Sequence, residues 1–136
     1  ELLNIALPIV QAPMAGAQGV ELAVAVSRAG GLGSLPCAML SPAQVAEQVA
    51  AFRAAGSGPL NLNFFCHQAP TPDAAREQAW RDRLAPYYRE LAIAPDTPIP
   101  VSNRAPFDAA FCEVVEDLRP KVVSFHFGLP EASLRK

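Results

Sequence analysis

The sequence lacks long apolar runs and an excess of charge of either sign. No apolar stretch approaches the roughly 20 residues that a helix needs to cross a bilayer, and the start of the chain lacks the basic segment and apolar core of a secretory signal. The 11 basic and 13 acidic side chains give a formal net charge of -2 without a Lys/Arg cluster. Nothing therefore marks a nucleic-acid surface, and we expect a cytoplasmic protein that binds neither membrane nor nucleic acid.

Cysteine is scarce as well. Cys37, Cys66 and Cys112 are odd in number, widely spaced and without a CxxC pair, which argues against a disulfide framework and against a zinc site. Walker loops, paired carboxylates and metal-spaced histidines are also missing. We expect no bound metal, and we interpret the cysteines as small buried hydrophobic residues.

A glycine-rich stretch does not match the dinucleotide-binding fingerprint. Gly30, Gly31 and Gly33 follow a predicted helix, whereas the fingerprint requires a strand before its glycines. Pro36 also stands where the last glycine of the fingerprint should be.

What the sequence does contain is a regular alternation of strand and helix patterns. Hydrophobic residues make up 51% of the 136 residues, which is enough for the core of one domain. Ser41, Pro42 and Gln44 match the N-cap, first helical position and capping box of a helix, and Thr71 with Pro72 repeats the first two. The predicted strands are residues 9–10, 32–35, 60–65 and 122–127, and the predicted helices are residues 20–29, 41–55, 71–90 and 107–118.

Strands that alternate with helices predict an α/β fold with a parallel sheet. The pattern fits either half of a (β/α)8 barrel or a small open doubly wound sheet. The chain begins without Met, and residues 131–136 look like the first turn of another helix. Because an open sheet would need a finished edge, we favour a TIM barrel of which residues 1–136 supply roughly the first four βα units, as an incomplete N-terminal part.

Polar residues cluster where the predicted strands end, namely Gln11, Asn61, Asn63, Ser124 and His126. Buried polar groups cost free energy unless they find partners, and the carboxyl ends of parallel strands are where ligands bind. A cofactor rim would account for several of these residues together. The alternatives are asparagine amides that bond only to neighbouring backbone and a histidine that is simply part of the core.

Three segments resemble landmarks of the nitronate monooxygenases, formerly called 2-nitropropane dioxygenases. They are residues 8–16 (PIVQAPMAG), residues 61–65 (NLNFF) and residues 123–128 (VSFHFG), and the resemblance covers essentially the whole chain in order. Members of this family are FMN enzymes on a TIM barrel. The family oxidises alkyl nitronates, such as propionate-3-nitronate, or nitroalkanes with O2 to a carbonyl compound and nitrite, without a nicotinamide.

The resemblance also implies roles for individual residues. The backbone of Ala12, Pro13 and Met14 would lie along the isoalloxazine ring, and Asn63 would hydrogen-bond the flavin or its phosphoribityl arm. His126 would be a catalytic residue near the ring on the substrate side. The usual base of the family and its FMN-phosphate loops have no counterpart in these 136 residues, so we expect the segment alone to be inactive.

Two other functions are compatible with the same residues. One is another FMN barrel oxidoreductase, such as an enoyl-thioester reductase or a quinone reductase that uses a reduced nicotinamide. The other is an inactive half-barrel that associates through open sheet edges. The sequence leaves the oligomeric state and the physiological substrate open.

Overall fold

In a computed structural model of the chain, three short strands form one parallel sheet. The structure describes residues 2–56, 58–69, 71–98, 100 and 102–135. The strands are β1 (Gly33–Pro36), β2 (Leu60–Phe65) and β3 (Val122–His126), and they lie in the order β1-β2-β3. The helices are α1 (Val20–Arg28), α2 (Pro42–Ala54), α3 (Ala74–Glu90) and α4 (Ala109–Leu118), followed by a short 3-10 helix (Ala132–Leu134). The prediction of an α/β fold with a parallel sheet is confirmed.

The chain divides into two compact units, Glu1–Gln68 with Asn103–Lys136, and Ala69–Ser102. The first unit holds the sheet together with α1, α2 and α4. The second holds the polar helix α3, none of whose described side chains is buried. In that unit Arg81 donates hydrogen bonds to the carbonyl oxygens of Pro95 and Thr97, which ties the proline-rich loop to the helix.

The two faces of the sheet differ in chemistry. On one face Leu35, Leu62 and Phe64 are almost fully buried and form the core with the helices. The other face carries polar side chains, because residues two apart in a strand point the same way. The register pairs Ser34 with Asn61 and Asn63 with Ser124 across neighbouring strands.

The prediction of a short buried strand at residues 9–10 is wrong. Val10 forms only an isolated bridge with Leu32, and the side chains of Ile9 and Val10 are more than half exposed. A single parallel bridge supplies two backbone hydrogen bonds, from Leu32 N to Ile9 O and from Gln11 N to Leu32 O. Ile9 and Val10 have strand propensity, but among the described residues only the segment at Leu32 forms a bridge with them.

Helix starts were predicted with mixed success. The capping box of Ser41 and Gln44 at the start of α2 is confirmed. Thr71 does not cap α3, because the helix begins at Ala74 and the Asp73 carboxylate accepts the cap hydrogen bond. Residues 107–108 likewise precede α4, with Asp108 as its cap. In both places an aspartate carboxylate, a strong N-cap acceptor, lies one or two residues after the predicted start.

Helix α1 packs closely against β1 because Gly33 has no side chain. A Cβ atom at this position would collide with the carbonyl oxygen of Ala23 in α1. At its carboxyl end α1 stops before Gly30, which has a φ of 97°, as predicted from the glycine pair. None of the described helices is long and apolar enough to span a membrane.

Candidate functional site

The side-chain amide of Gln11 forms with β1 the pair of hydrogen bonds that the backbone of a neighbouring strand would otherwise form. The Ser34 N–H donates to Gln11 Oε1 at 3.0 Å, and Gln11 Nε2 donates to the Ser34 carbonyl oxygen at 3.2 Å. A side-chain amide here satisfies the same donor and acceptor that a neighbouring peptide group would satisfy. The hydrogen bonds to β1 therefore begin with the backbone around Val10 and end with the side chain of Gln11. Among the described residues, the backbone just after Gln11 forms no further hydrogen bonds with the sheet.

The released segment, residues 12–14, presents unpaired backbone groups. Among the described residues, the amides of Ala12 and Met14 have no hydrogen-bond acceptor, and Pro13 has no N–H. The Met14 side chain is 44% exposed. The backbone carbonyl oxygen of Met14 accepts a hydrogen bond from the Ala17 N–H, in a turn in which Gly16 has a φ of 79°. The segment therefore offers two N–H donors next to an accessible apolar side chain.

Asn63 connects β2 to β3 through its side-chain nitrogen. Nδ2 lies 2.9 Å from Ser124 Oγ, 3.2 Å from the Ser124 carbonyl oxygen and 3.0 Å from His126 Nδ1. Asn63 is 2% exposed, whereas the His126 side chain is exposed at the end of β3. Among the described residues, Asn63 Oδ1 has no hydrogen-bond donor.

An aromatic cluster surrounds His126. The imidazole lies edge-on to Phe65, with ring centroids 6.1 Å apart, and Phe127 packs on Phe65 at 4.9 Å. Phe127 has a φ of 66°, a left-handed conformation that side-chain-bearing residues seldom adopt and that often marks functional sites. Its ring is two-thirds exposed. The predicted strand therefore ends at His126 rather than at Phe127.

Comparison with known proteins gives the family. The sequence profile of the nitronate monooxygenases matches residues 1–136. The chain belongs to the nitronate monooxygenase family. It is 40% identical over 134 residues to the nitronate monooxygenase of Paraburkholderia phytofirmans, with 98% of this chain and 37% of that protein covered. It is 39% identical over 132 residues to that of Pseudomonas aeruginosa, with 95% and 37% covered.

The chain thus spans about 37% of the length of these curated nitronate monooxygenases. Among solved structures it is similar to the nitroalkane oxidase from Streptomyces ansochromogenes, with a TM-score of 0.71 and 31% identity over 96% of this chain and 37% of the other. It also shares its fold with FabK from Thermotoga maritima, with a TM-score of 0.62 and 24% identity over 98% of this chain and 31% of the other.

The structure brings some of the predicted site residues together. Asn63 and His126 are joined by a hydrogen bond, and Ser124 completes the same network. Residues 12–14 follow the isolated bridge at Val10, and no hydrogen bond among the described residues links them to this network. The predicted roles of Ala12, Pro13, Met14, Asn63 and His126 toward a flavin remain predictions for this member of the nitronate monooxygenase family.

Several contributors to the site were missed from the sequence. Ser34 is fully buried and accepts hydrogen bonds from Gln11, Gln18 and Asn61. The buried oxygens Gln18 Oε1 and Asn61 Oδ1 have no partner in the described structure. The only sequence signal for Ser34 was a polar residue in an otherwise apolar strand. Phe127 had a clearer signal, since the glycine after it marks the end of the strand.

Cys37 and Cys66 do not add a nucleophile to the site. Burial raises the pKa of the Cys37 thiol from 9.0 to about 12, and burial also raises the pKa of Cys66. Both thiols therefore stay protonated near neutral pH. A protonated thiol is a poor nucleophile, because the thiolate is the reactive form. The interpretation of Cys37 as a buried hydrophobic residue is confirmed, whereas Cys66 and Cys112 are only half-buried. The described residues contain no group of side chains suited to a metal ion.

Proposed function

We propose that the full-length protein containing this chain oxidises alkyl nitronates, such as propionate-3-nitronate, with O2 to a carbonyl compound and nitrite. The proposed cofactor is FMN, and the proposed architecture is a (β/α)8 barrel of which residues 1–136 form roughly the first four βα units. Support comes from the family match over residues 1–136 and from the similarity to two bacterial nitronate monooxygenases. The similarity to a nitroalkane oxidase agrees with the substrate class.

The residues at the strand ends fit a flavin. The polar edge of an isoalloxazine ring alternates carbonyl acceptors with an N–H donor. The free amides of Ala12 and Met14 supply donors, and the free Oδ1 of Asn63 supplies an acceptor. The observation that carries the proposal is the pair of hydrogen bonds between the Gln11 side chain and the Ser34 backbone. Because the side chain occupies the Ser34 backbone groups, the amides of Ala12 and Met14 are not used in the sheet. When bound, FMN would supply the electron-transfer chemistry between nitronate and O2.

The residues of this chain would bind and orient rather than carry electrons. Ala12, Met14 and Asn63 would hold the polar edge of the ring, with Pro13 fixing the backbone between the two amides. Preorganised donors of this kind stabilise negative charge without having to reorient. Phe65 and Phe127 would exclude water beside His126, whose imidazole is exposed and would face the substrate.

The test uses the purified full-length protein. We expect flavin absorbance bands, release of FMN on denaturation as identified by mass spectrometry, and nitrite from propionate-3-nitronate in air without any nicotinamide. A colourless protein that does not take up added FMN would overturn the cofactor assignment. Rapid NADH oxidation with an enoyl thioester or a quinone, with no nitrite from the nitronate, would instead favour a reductase on the same fold.

The matched variants are Ala12→Pro and Ala94→Pro. Replacing Ala12 by proline removes one of the two free N–H donors, so we expect weaker retention of FMN during gel filtration. Ala94 is likewise exposed, also precedes a proline, and its N–H has no acceptor among the described residues, but it belongs to the other compact unit; its proline variant therefore reports the cost of the substitution away from residues 12–14. Equal loss of FMN in both variants would show that the Ala12 amide has no specific part in binding.

A further inference from the structure

We propose that Asn63 is a positioning residue that keeps His126 in the tautomer protonated on Nε2. His126 then presents an N–H donor to the oxygen atoms of an anionic substrate, rather than a basic nitrogen. The substrate side of this inference rests on the proposed function. The tautomer itself does not, because it follows from the contacts of Asn63 alone.

The first step is the orientation of the Asn63 amide. Its nitrogen, as placed, lies 3.2 Å from the backbone carbonyl oxygen of Ser124 and 2.9 Å from Ser124 Oγ. A carbonyl oxygen can only accept a hydrogen bond. If the amide were turned over, its oxygen would face the Ser124 carbonyl oxygen and two acceptors would oppose each other. The Ser124 carbonyl oxygen therefore favours the NH2 group of Asn63 on this side.

The second step is the proton on the imidazole. The same NH2 group lies 3.0 Å from His126 Nδ1. An asparagine NH2 group has two hydrogens and does not accept, so with one hydrogen shared by the two Ser124 oxygens the other is donated to the lone pair of His126 Nδ1. A neutral imidazole has one proton, which then resides on Nε2. At 2% exposure, Asn63 has little water that could take over this hydrogen bond.

The third step is what the remaining nitrogen can do. His126 is exposed at the end of β3, next to the Phe65 and Phe127 rings. A protonated Nε2 cannot remove a proton from a substrate, but it can donate to a negatively charged oxygen. A nitronate carries its negative charge on the two oxygens of its nitro group, and hydrogen bonds to charged acceptors are stronger than neutral ones. The arrangement therefore points to His126 as a binding and orienting donor.

The decisive measurement is the NMR spectrum of the full-length protein labelled with ¹⁵N- and ¹³C-histidine. The His126 signals are assigned by their disappearance in His126→Gln. We expect the wild-type spectrum to show a non-protonated Nδ1 and a protonated Nε2 at neutral pH. A protonated Nδ1 in the wild type would overturn the proposal, whether or not the protein forms nitrite.

Two variants with the same substitution separate the role of Asn63 from loss of a buried amide. Asn63→Leu removes the donor to His126, and Asn61→Leu removes an amide on the same face of β2 that donates only to Ser34 Oγ. We expect a mixture of tautomers in Asn63→Leu and the wild-type signature in Asn61→Leu. A wild-type signature in both would show that Asn63 does not select the tautomer and would overturn the proposal.

Kinetics with propionate-3-nitronate test the consequence for substrate binding. Because Asn63 Oδ1 is also a proposed flavin contact, the assay contains FMN at saturation. Under that condition we expect Asn63→Leu to raise KM about tenfold with a smaller change in kcat, since one hydrogen bond to a charged group is lost in part. Should the protein release no nitrite at all, the proposed function fails, while the NMR result still decides the tautomer. A selected tautomer with an unchanged KM would overturn the donor role of His126.

Discussion

Gln11 stands in for a peptide group at the end of the bridge between residues 9–11 and β1. Both polar atoms of its amide are used, one as acceptor for Ser34 N–H and one as donor to Ser34 O. Gln18 also donates to that carbonyl oxygen, at 2.8 Å. The Ser34 N–H therefore depends on Gln11 alone, whereas the Ser34 carbonyl oxygen has two donors.

This difference predicts unequal effects of two matched substitutions. Gln11→Leu leaves the buried Ser34 N–H without an acceptor, so we expect a loss of about 1–3 kcal/mol in the free energy of unfolding. Gln18→Leu leaves the Ser34 carbonyl oxygen with its second donor, so we expect a loss below about 1 kcal/mol. Urea denaturation of the two variants provides the comparison. Equal losses in the free energy of unfolding would mean that the hydrogen bond from the Ser34 N–H to Gln11 does not contribute to the stability of the sheet.

At the scale of elements, the packing of α1 on β1 depends on one missing side chain. Gly33→Ala would drive a methyl group into the backbone oxygen of Ala23, and backbone cannot move aside as a flexible side chain can. We expect the free energy of unfolding to fall by about 1–3 kcal/mol, the usual range for overpacking.

The control for this prediction is Gly58→Ala. Its new methyl group would meet only the Ser27 hydroxyl, at 3.3 Å, so we expect a change of less than about 1 kcal/mol. Thermal unfolding followed by circular dichroism measures both variants. A Gly33→Ala protein as stable as Gly58→Ala would show that α1 can move away from β1 at little cost.

The sequence predicted those elements whose signals are local. The capping box of Ser41 and the glycine at the end of α1 need only neighbouring residues, and both are confirmed. The hydrogen bond between Asn63 and His126 joins residues 63 positions apart. Shared strand ends predicted that these two would be near each other, but the donor, the acceptor and the part played by Ser124 depend on the register of β2 and β3. The sequence alone does not specify that register.

At the scale of the whole molecule, the buried thiol of Cys37 couples folding to alkaline pH. Burial raises its pKa from 9.0 to about 12 in the folded protein. Above pH 9 the unfolded chain therefore loses a proton that the folded chain retains, and stability falls as pH rises. The expected slope from this group is up to about 1.4 kcal/mol per pH unit until about pH 12.

Comparison with Cys37→Ala isolates this contribution from the other groups that titrate at high pH. The variant should be less stable near neutral pH, because a cavity replaces the thiol, but its stability should fall less steeply above pH 9. Urea denaturation at a series of pH values gives both slopes, with Cys112→Ala as the control for a half-buried thiol. Parallel slopes in the wild type and Cys37→Ala would contradict the coupling.

The alternation along β2 has a consequence for how such a protein can evolve. Leu62 and Phe64 face the helices, while Asn61 and Asn63 face the polar side of the same sheet. We therefore expect substitutions at Leu62 and Phe64 to change the stability of the fold first, and substitutions at Asn63 to change the hydrogen bonds on the polar face first. One short strand can then accept changes on its polar face while its other face preserves the scaffold.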